Sequence, residues 1–152
     1  MDAEVVTRFR AIIGRLARDL NATATDEALT PTQASVLGIV AKRGPIRLAE
    51  LNEIEGLNPT LLSRVVSKLE ELGLIERISD PADLRSANIA VTPAGHSVHE
   101  RIRDSRASII SSCMNRLPER SVSVLIAALP ALEELAVEVR LAASAKRRRS
   151  DT

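Results

Sequence analysis

Between Asn58 and Leu72, small hydroxyls and cations recur at helical spacing. At about 100° per residue, Thr60, Arg64, Ser67 and Glu71 fall on one side of a helix, flanked by Ser63 and Lys68. Leu62, Val65, Val66, Leu69 and Leu72 cluster on the other side and are expected in a core. Hydroxyls at a helix N-terminal end can meet phosphates or base edges, and an Arg can grip guanine through two hydrogen bonds. No acidic residue stands between Asn58 and Leu69, so that end carries no repulsion toward DNA. The plain alternative is the solvated face of an ordinary amphipathic helix. A second signal lowers its weight. Arg85 is the lone cation in the polar stretch Ser79 to Ser86, between two short β-rich segments. One long cation at a hairpin tip suits the narrow minor groove, where the potential is most negative.

Other chemistry is thin. No phosphate loop, nucleophile elbow or paired-cysteine motif is present, so no enzyme is expected. His96, His99 and Glu100 can share a helix face, but a zinc site needs at least three ligands and no cysteine is close in sequence. They are expected as solvated residues at a helix start, with a protonation-dependent contact left open. Cys113 has no His or Lys close in sequence to lower its pKa, and is expected as a packing residue. No metal and no cofactor is expected.

The elements that must position these residues are punctuated by Pro and Gly. Asp26 to Thr30, Gly44-Pro45, Gly56 to Pro59, Gly73, Asp80-Pro81, Pro93 and Pro118 mark breaks. A first helix is predicted over 4–20, with Val5, Phe9, Ile12, Ile13, Leu16 and Leu20 as its apolar stripe. Thr30-Pro31-Thr32-Gln33 reads as a capping box opening a second helix. After one or two strand residues, a short helix reaches Glu55. Asn58 caps the next, which Gly73 stops. Segments 74–78 and 88–91 form a β-hairpin with a long exposed loop. Thr92-Pro93 caps a helix to about residue 116, and a last helix runs from Pro118 to about 143 with a kink or break at Pro130. The chain is thus mainly α with a small β-hairpin wing: a winged helix-turn-helix flanked by dimerisation helices. In this plan the second helix of the pair enters the major groove.

The stretch Leu29 to Arg101 resembles the MarR family of bacterial transcriptional regulators. The matching pieces are Leu29-Thr30-Pro31-Thr32-Gln33, Leu48-Ala49-Glu50-Leu51, 58–66, 69–77, the wing residues Asp80, Asp83, Leu84, Arg85 and Ser86, and Val91-Thr92-Pro93-Ala94-Gly95. The resemblance implies a homodimer on a palindromic double-stranded DNA operator, acting as a repressor that a small-molecule inducer releases. It implies DNA contacts from Thr60, Ser63, Arg64, Ser67 and Lys68. Arg85 would enter the minor groove, with Asp83 orienting it or closing the wing turn. Some relatives sense oxidants through a cysteine in the first helix, where this chain has none.

The expected organisation is an N-terminal dimerisation helix at 1–28, a DNA-binding domain at 29–92, C-terminal dimerisation helices at 93–145 and a basic disordered tail at 146–152. The long apolar stripes of the flanking helices have too few partners in one chain of 152 residues. No run approaches the ~20 apolar residues of a membrane span. With no signal peptide and one cysteine, the expected location is cytoplasmic.

With Phe9 as the single aromatic residue, base stacking on single strands is excluded. The net charge of +1 conceals a net −3 over 46–92, the proposed DNA-binding stretch. Its cations are few: Arg64, Lys68 and Arg85, with Arg47 and Arg77 nearby. The acidic Glu50, Glu53 and Glu55 motivate an alternative, a winged-helix dimer that acts through protein–protein contacts without DNA binding.

Overall fold

A computed structural model describes residues 1–22 and 28–150. The Asp26–Glu27 part of the expected break, and residues 151–152 of the tail, lie outside that range. The elements are α1 (Ala3–Ala22), α2 (Pro31–Arg43), β1 (Ile46–Arg47), α3 (Leu48–Glu55), α4 (Pro59–Glu71), β2 (Ile75–Asp80), β3 (Asp83–Val91), α5 (Pro93–Met114), α6 (Glu119–Ala127) and α7 (Leu129–Ser150). They fall into two compact units, residues 1–108 and 109–152, divided within α5.

The first unit holds the core. Local chemistry sets its helix ends. Gln33 N–H donates to Thr30 Oγ1 at 3.2 Å and Thr30 N–H donates to Gln33 Oε1 at 3.0 Å, so the capping box satisfies two N-terminal donors. The Asn58 side chain accepts from Thr60 N–H at 2.9 Å and opens α4. Gly73, at φ +71, takes the left-handed conformation that ends α4 and turns the chain into β2. The sheet has order β1-β3-β2, with Ile46 opposite Ile89 and Arg77 opposite Ile89 on the far side. Val36, Leu37 and Val40 of α2, Leu51 of α3, Leu62, Val66 and Leu69 of α4, and Ile46 and Ile89 of the sheet are all fully buried together. Burial of each such side chain is worth about 1.5–3 kcal/mol.

The α4–β2 corner is tied to the start of α5. Thr92 Oγ1 donates to Gly73 O at 2.6 Å, Thr92 N–H donates to Leu74 O at 3.1 Å, and Thr92 Oγ1 accepts Gly95 N–H at 3.1 Å. Gly95 is required at this approach, since a Cβ there would lie 1.9 Å from Leu74 O.

Three expectations are corrected and one holds. The wing has no long loop: β2 and β3 run through 79–80 and 83–86, leaving only Pro81 and Ala82 between them. The Asp80 and Asp83 carboxylates accept hydrogen bonds from nearby backbone N–H groups and shape the tip, so polar residues there do not mean an open loop. Leu72 is 46 % exposed rather than core, because α4 has already ended at Glu71. The break expected at Pro130 is present, between α6 and α7. Pro130 has no N–H to donate and fits only the first turn of a helix, so α7 restarts at Leu129. The basic run is not disordered over 146–150, where α7 continues. Ala, Lys and Arg are strong helix formers, and no Gly or Pro follows Pro130.

α1 buries none of its residues; Val5, Val6, Phe9, Ile12, Ile13 and Leu16 are all exposed. In the second unit α6 likewise buries none, and Val124, Leu125 and Ile126 are exposed, as are Leu129, Leu132, Leu135, Val137, Val139 and Leu141 of α7. Among the described residues, no helix is long and apolar enough to cross a membrane.

Candidate nucleic-acid interface

The two faces of α4 separate as the spacing predicts, apart from Leu72. Leu62, Val65, Val66 and Leu69 are buried, which fixes the helix against α2 and the sheet. Thr60, Ser63, Arg64, Ser67, Lys68 and Glu71 line one open depression on the opposite face. The five α4 residues predicted from sequence are therefore together. Glu71 joins them, and its Oε2 takes Lys68 Nζ at 3.3 Å. An exposed pair of this kind is weak and easily exchanged for a phosphate. Arg64 is in no ion pair among the described residues. Arg77, one of the nearby cations, is paired with Glu70 at 3.2 Å.

Arg85 is exposed on β3, three residues past Ala82 at the tip. It too is in no ion pair among the described residues. Asp83 acts through the backbone. Its Oδ1 accepts Arg85 N–H at 3.0 Å, and its carbonyl accepts Ser86 Oγ–H at 3.3 Å. Of the two expected roles for Asp83, this geometry is the turn-closing one; the carboxylate holds the backbone under Arg85, not its guanidinium.

One contact carries no mark in the sequence. Arg47 Nη2 donates to Asp80 Oδ2 at 2.9 Å. Asp80 is 7 % exposed, the one buried charged residue among those described. Its Oδ1 also accepts Ala82 N–H at 2.9 Å. The Ala82 N–H first, and then Arg47, hold its carboxyl below the usual carboxylate range. No local signal marks this pair, because 33 positions separate the residues and only the sheet brings them together.

The remaining polar residues divide. His96 is exposed with Nε2 3.5 Å from Glu100 Oε1. His99 is not a solvated residue. It is half-buried, and a Cβ built on Gly38 of α2 would lie 3.3 Å from its Cε1. Among the described residues, no three His, Cys, Asp or Glu side chains gather as a metal site would need. Cys113 is exposed among the described residues, not packed as expected, and stands near the C-terminal end of α5.

A helix-turn-helix, α3 to α4, followed by a two-stranded wing defines a winged helix-turn-helix protein. Residues 29–87 match the model of the MarR family. The HTH-type transcriptional repressor MdtR of Bacillus subtilis is 21 % identical over 120 residues, which cover 79 % of this chain and 77 % of the relative. The crystal structure of RV1404 from Mycobacterium tuberculosis superposes with a TM-score of 0.74 at 27 % identity, covering 88 % of this chain and 94 % of that one. A MarR family protein from Bacillus stearothermophilus gives 0.76 at 20 % identity, covering 89 % and 94 %. Residues 29–87 are thus similar to a MarR-family domain, and the relatives that the chain matches are named HTH-type transcriptional regulators.

Proposed function

We propose that this chain binds a palindromic double-stranded DNA operator as a homodimer and represses transcription until a small ligand releases it. The observation that carries the reading is the exposed face of α4. It gathers three hydroxyls, Arg64, which is in no ion pair among the described residues, and the loosely paired Lys68 on one side of a helix whose other side is locked in the core. Thr60, Ser63, Arg64, Ser67 and Lys68 would meet the major groove, and Arg85 the minor groove, with Asp83 holding the wing turn. Residues 29–92 serve as the DNA-binding domain. The exposed apolar faces of α1, α6 and α7 support dimerisation through 1–28 and 93–145. Two linked readers match half-sites about one helical turn, ~34 Å, apart. That MdtR is named a repressor supports the sign of regulation.

The test is duplex selection from a random pool, followed by binding of the selected duplex. Arg64→Ala and Arg85→Ala should each weaken it by roughly 5- to 100-fold, the range of a lost specific contact. Failure to enrich any duplex would favour the protein–protein reading, which the exposed Glu50 and Glu53 of α3 keep open.

A further inference from the structure

In the sheet order β1-β3-β2, Arg47 and Asp80 sit on strands that are not neighbours. Arg47 is paired with Asn88 of β3, and its guanidinium reaches past that strand to the last residue of β2. It is also the residue from which α3, the first helix of the helix-turn-helix, departs. At the other end, Asp80 is where the hairpin ladder slips register, and its carboxylate shapes the turn by accepting Ala82 N–H. The contact therefore joins the start of the helix-turn-helix to the turn of the wing. The Arg47 side chain is 57 % exposed and that of Asp80 10 %, so the cation lies over a carboxylate that has lost most of its water. Such a carboxylate needs its partners more than a solvated one does.

We infer that Arg47 and Asp80 form a clamp that fixes the angle between the wing and the helix-turn-helix, and that Arg47 is a positioning residue rather than a phosphate contact. The inference rests on the reading above, that α4 and the wing bind one duplex together. Two rigid readers that must enter adjacent grooves lose affinity when the angle between them becomes variable. The clamp also explains why this acidic stretch retains a buried carboxylate beside its proposed DNA surface. Simple electrostatics would remove it.

That conflict makes the sign of one substitution decisive. Asp80→Asn removes a negative charge next to DNA, and its amide oxygen can still accept Ala82 N–H. Charge alone predicts tighter binding; the clamp predicts weaker binding, by about tenfold. The measurement is affinity of the full chain for the duplex selected from the random pool, over a series of salt concentrations, with thermal unfolding of each variant alongside. Arg47→Ala should also weaken binding about tenfold while leaving the salt slope unchanged, whereas Arg85→Ala lowers the slope by about 1. The Arg47→Ala/Asp80→Asn double variant should bind no worse than the weaker single variant, as expected of one shared contact. Asp80→Asn binding as tightly as the parent, or more tightly, overturns the clamp. So does a fall of about 1 in the slope for Arg47→Ala, which would make Arg47 a phosphate contact. If Arg85→Ala changes neither affinity nor slope, the failure lies in the wing's proposed DNA role, whatever the other two variants do.

Discussion

The segment from α2 to β3 and the helices α1, α6 and α7 have similar supplies of Leu, Ile and Val, yet treat them in opposite ways. In the first, apolar residues from five different elements converge until nine side chains are fully buried. In the second, amphipathic helices as long as 20 and 22 residues present their apolar stripes outward. The difference is one of connectivity. Short helices joined by capped turns and a hairpin can close on one another. The apolar stripes of α1, α6 and α7 stay exposed among the described residues, a surface of the kind that a partner chain can bury. The dimer proposed above would use both kinds of region: one that folds on itself and one that pairing would complete.

The largest expected effect is in the closed region. Leu51 is fully buried between α3 and the rest of the core, and Leu51→Ala should cost about 2–5 kcal/mol in denaturant unfolding. An effect below 1 kcal/mol would mean that the core is less closed than its burial implies. The open region should answer through association. Leu135 is 40 % exposed, and Leu135→Glu should weaken the dimer by roughly 10- to 100-fold in sedimentation equilibrium, the scale of one buried apolar side chain. An unchanged mass distribution would leave the stripe of α7 without a role in pairing.

Smaller effects sharpen the boundary between the regions. Thr30→Ala removes the capping box of α2 and should cost about 1 kcal/mol. His99 lies where α5 meets α2. Burial first, and then the charges of Lys42, Arg103 and His96, hold its pKa below the ordinary 6.5, with Glu100 opposing. The unfolded chain therefore binds the proton more readily. This contribution is favourable above pH 6.5 and is lost as pH falls through 6.5 toward the folded value. His99→Gln should show a smaller drop in melting temperature between pH 7.5 and 5.5, a window set about the ordinary His value. An equal drop in both proteins would move the acid sensitivity elsewhere.

Much of this was legible in the sequence because it is written locally. Thr30 with Gln33, Asn58 with Pro59, and Gly73 each fix a helix end through neighbours a few positions away. The buried and exposed faces of α4 follow from a period of 3.6. What escaped depends on distance in the chain or on competition between rules. The polar composition of 79–86 reads as loop, yet the β2–β3 ladder runs on into it, with Ser79 opposite Ala87 and Asp80 opposite Asp83. The basic run at 146–149 reads as a tail, yet its helix propensity continues α7. Arg47 reads as one more cation. Only the pairing of β1 with β3 turns it toward Asp80.

The central claim is that a pair of these chains reads duplex DNA through α4 and Arg85. Hydroxyl-radical footprinting on the selected duplex tests it most directly. The expected result is two protected stretches related by a dyad and centred about 10 base pairs apart, with minor-groove protection at the outer edges that disappears in Arg85→Ala. A single unpaired footprint, or one that Arg64→Ala and Arg85→Ala leave intact, would contradict it.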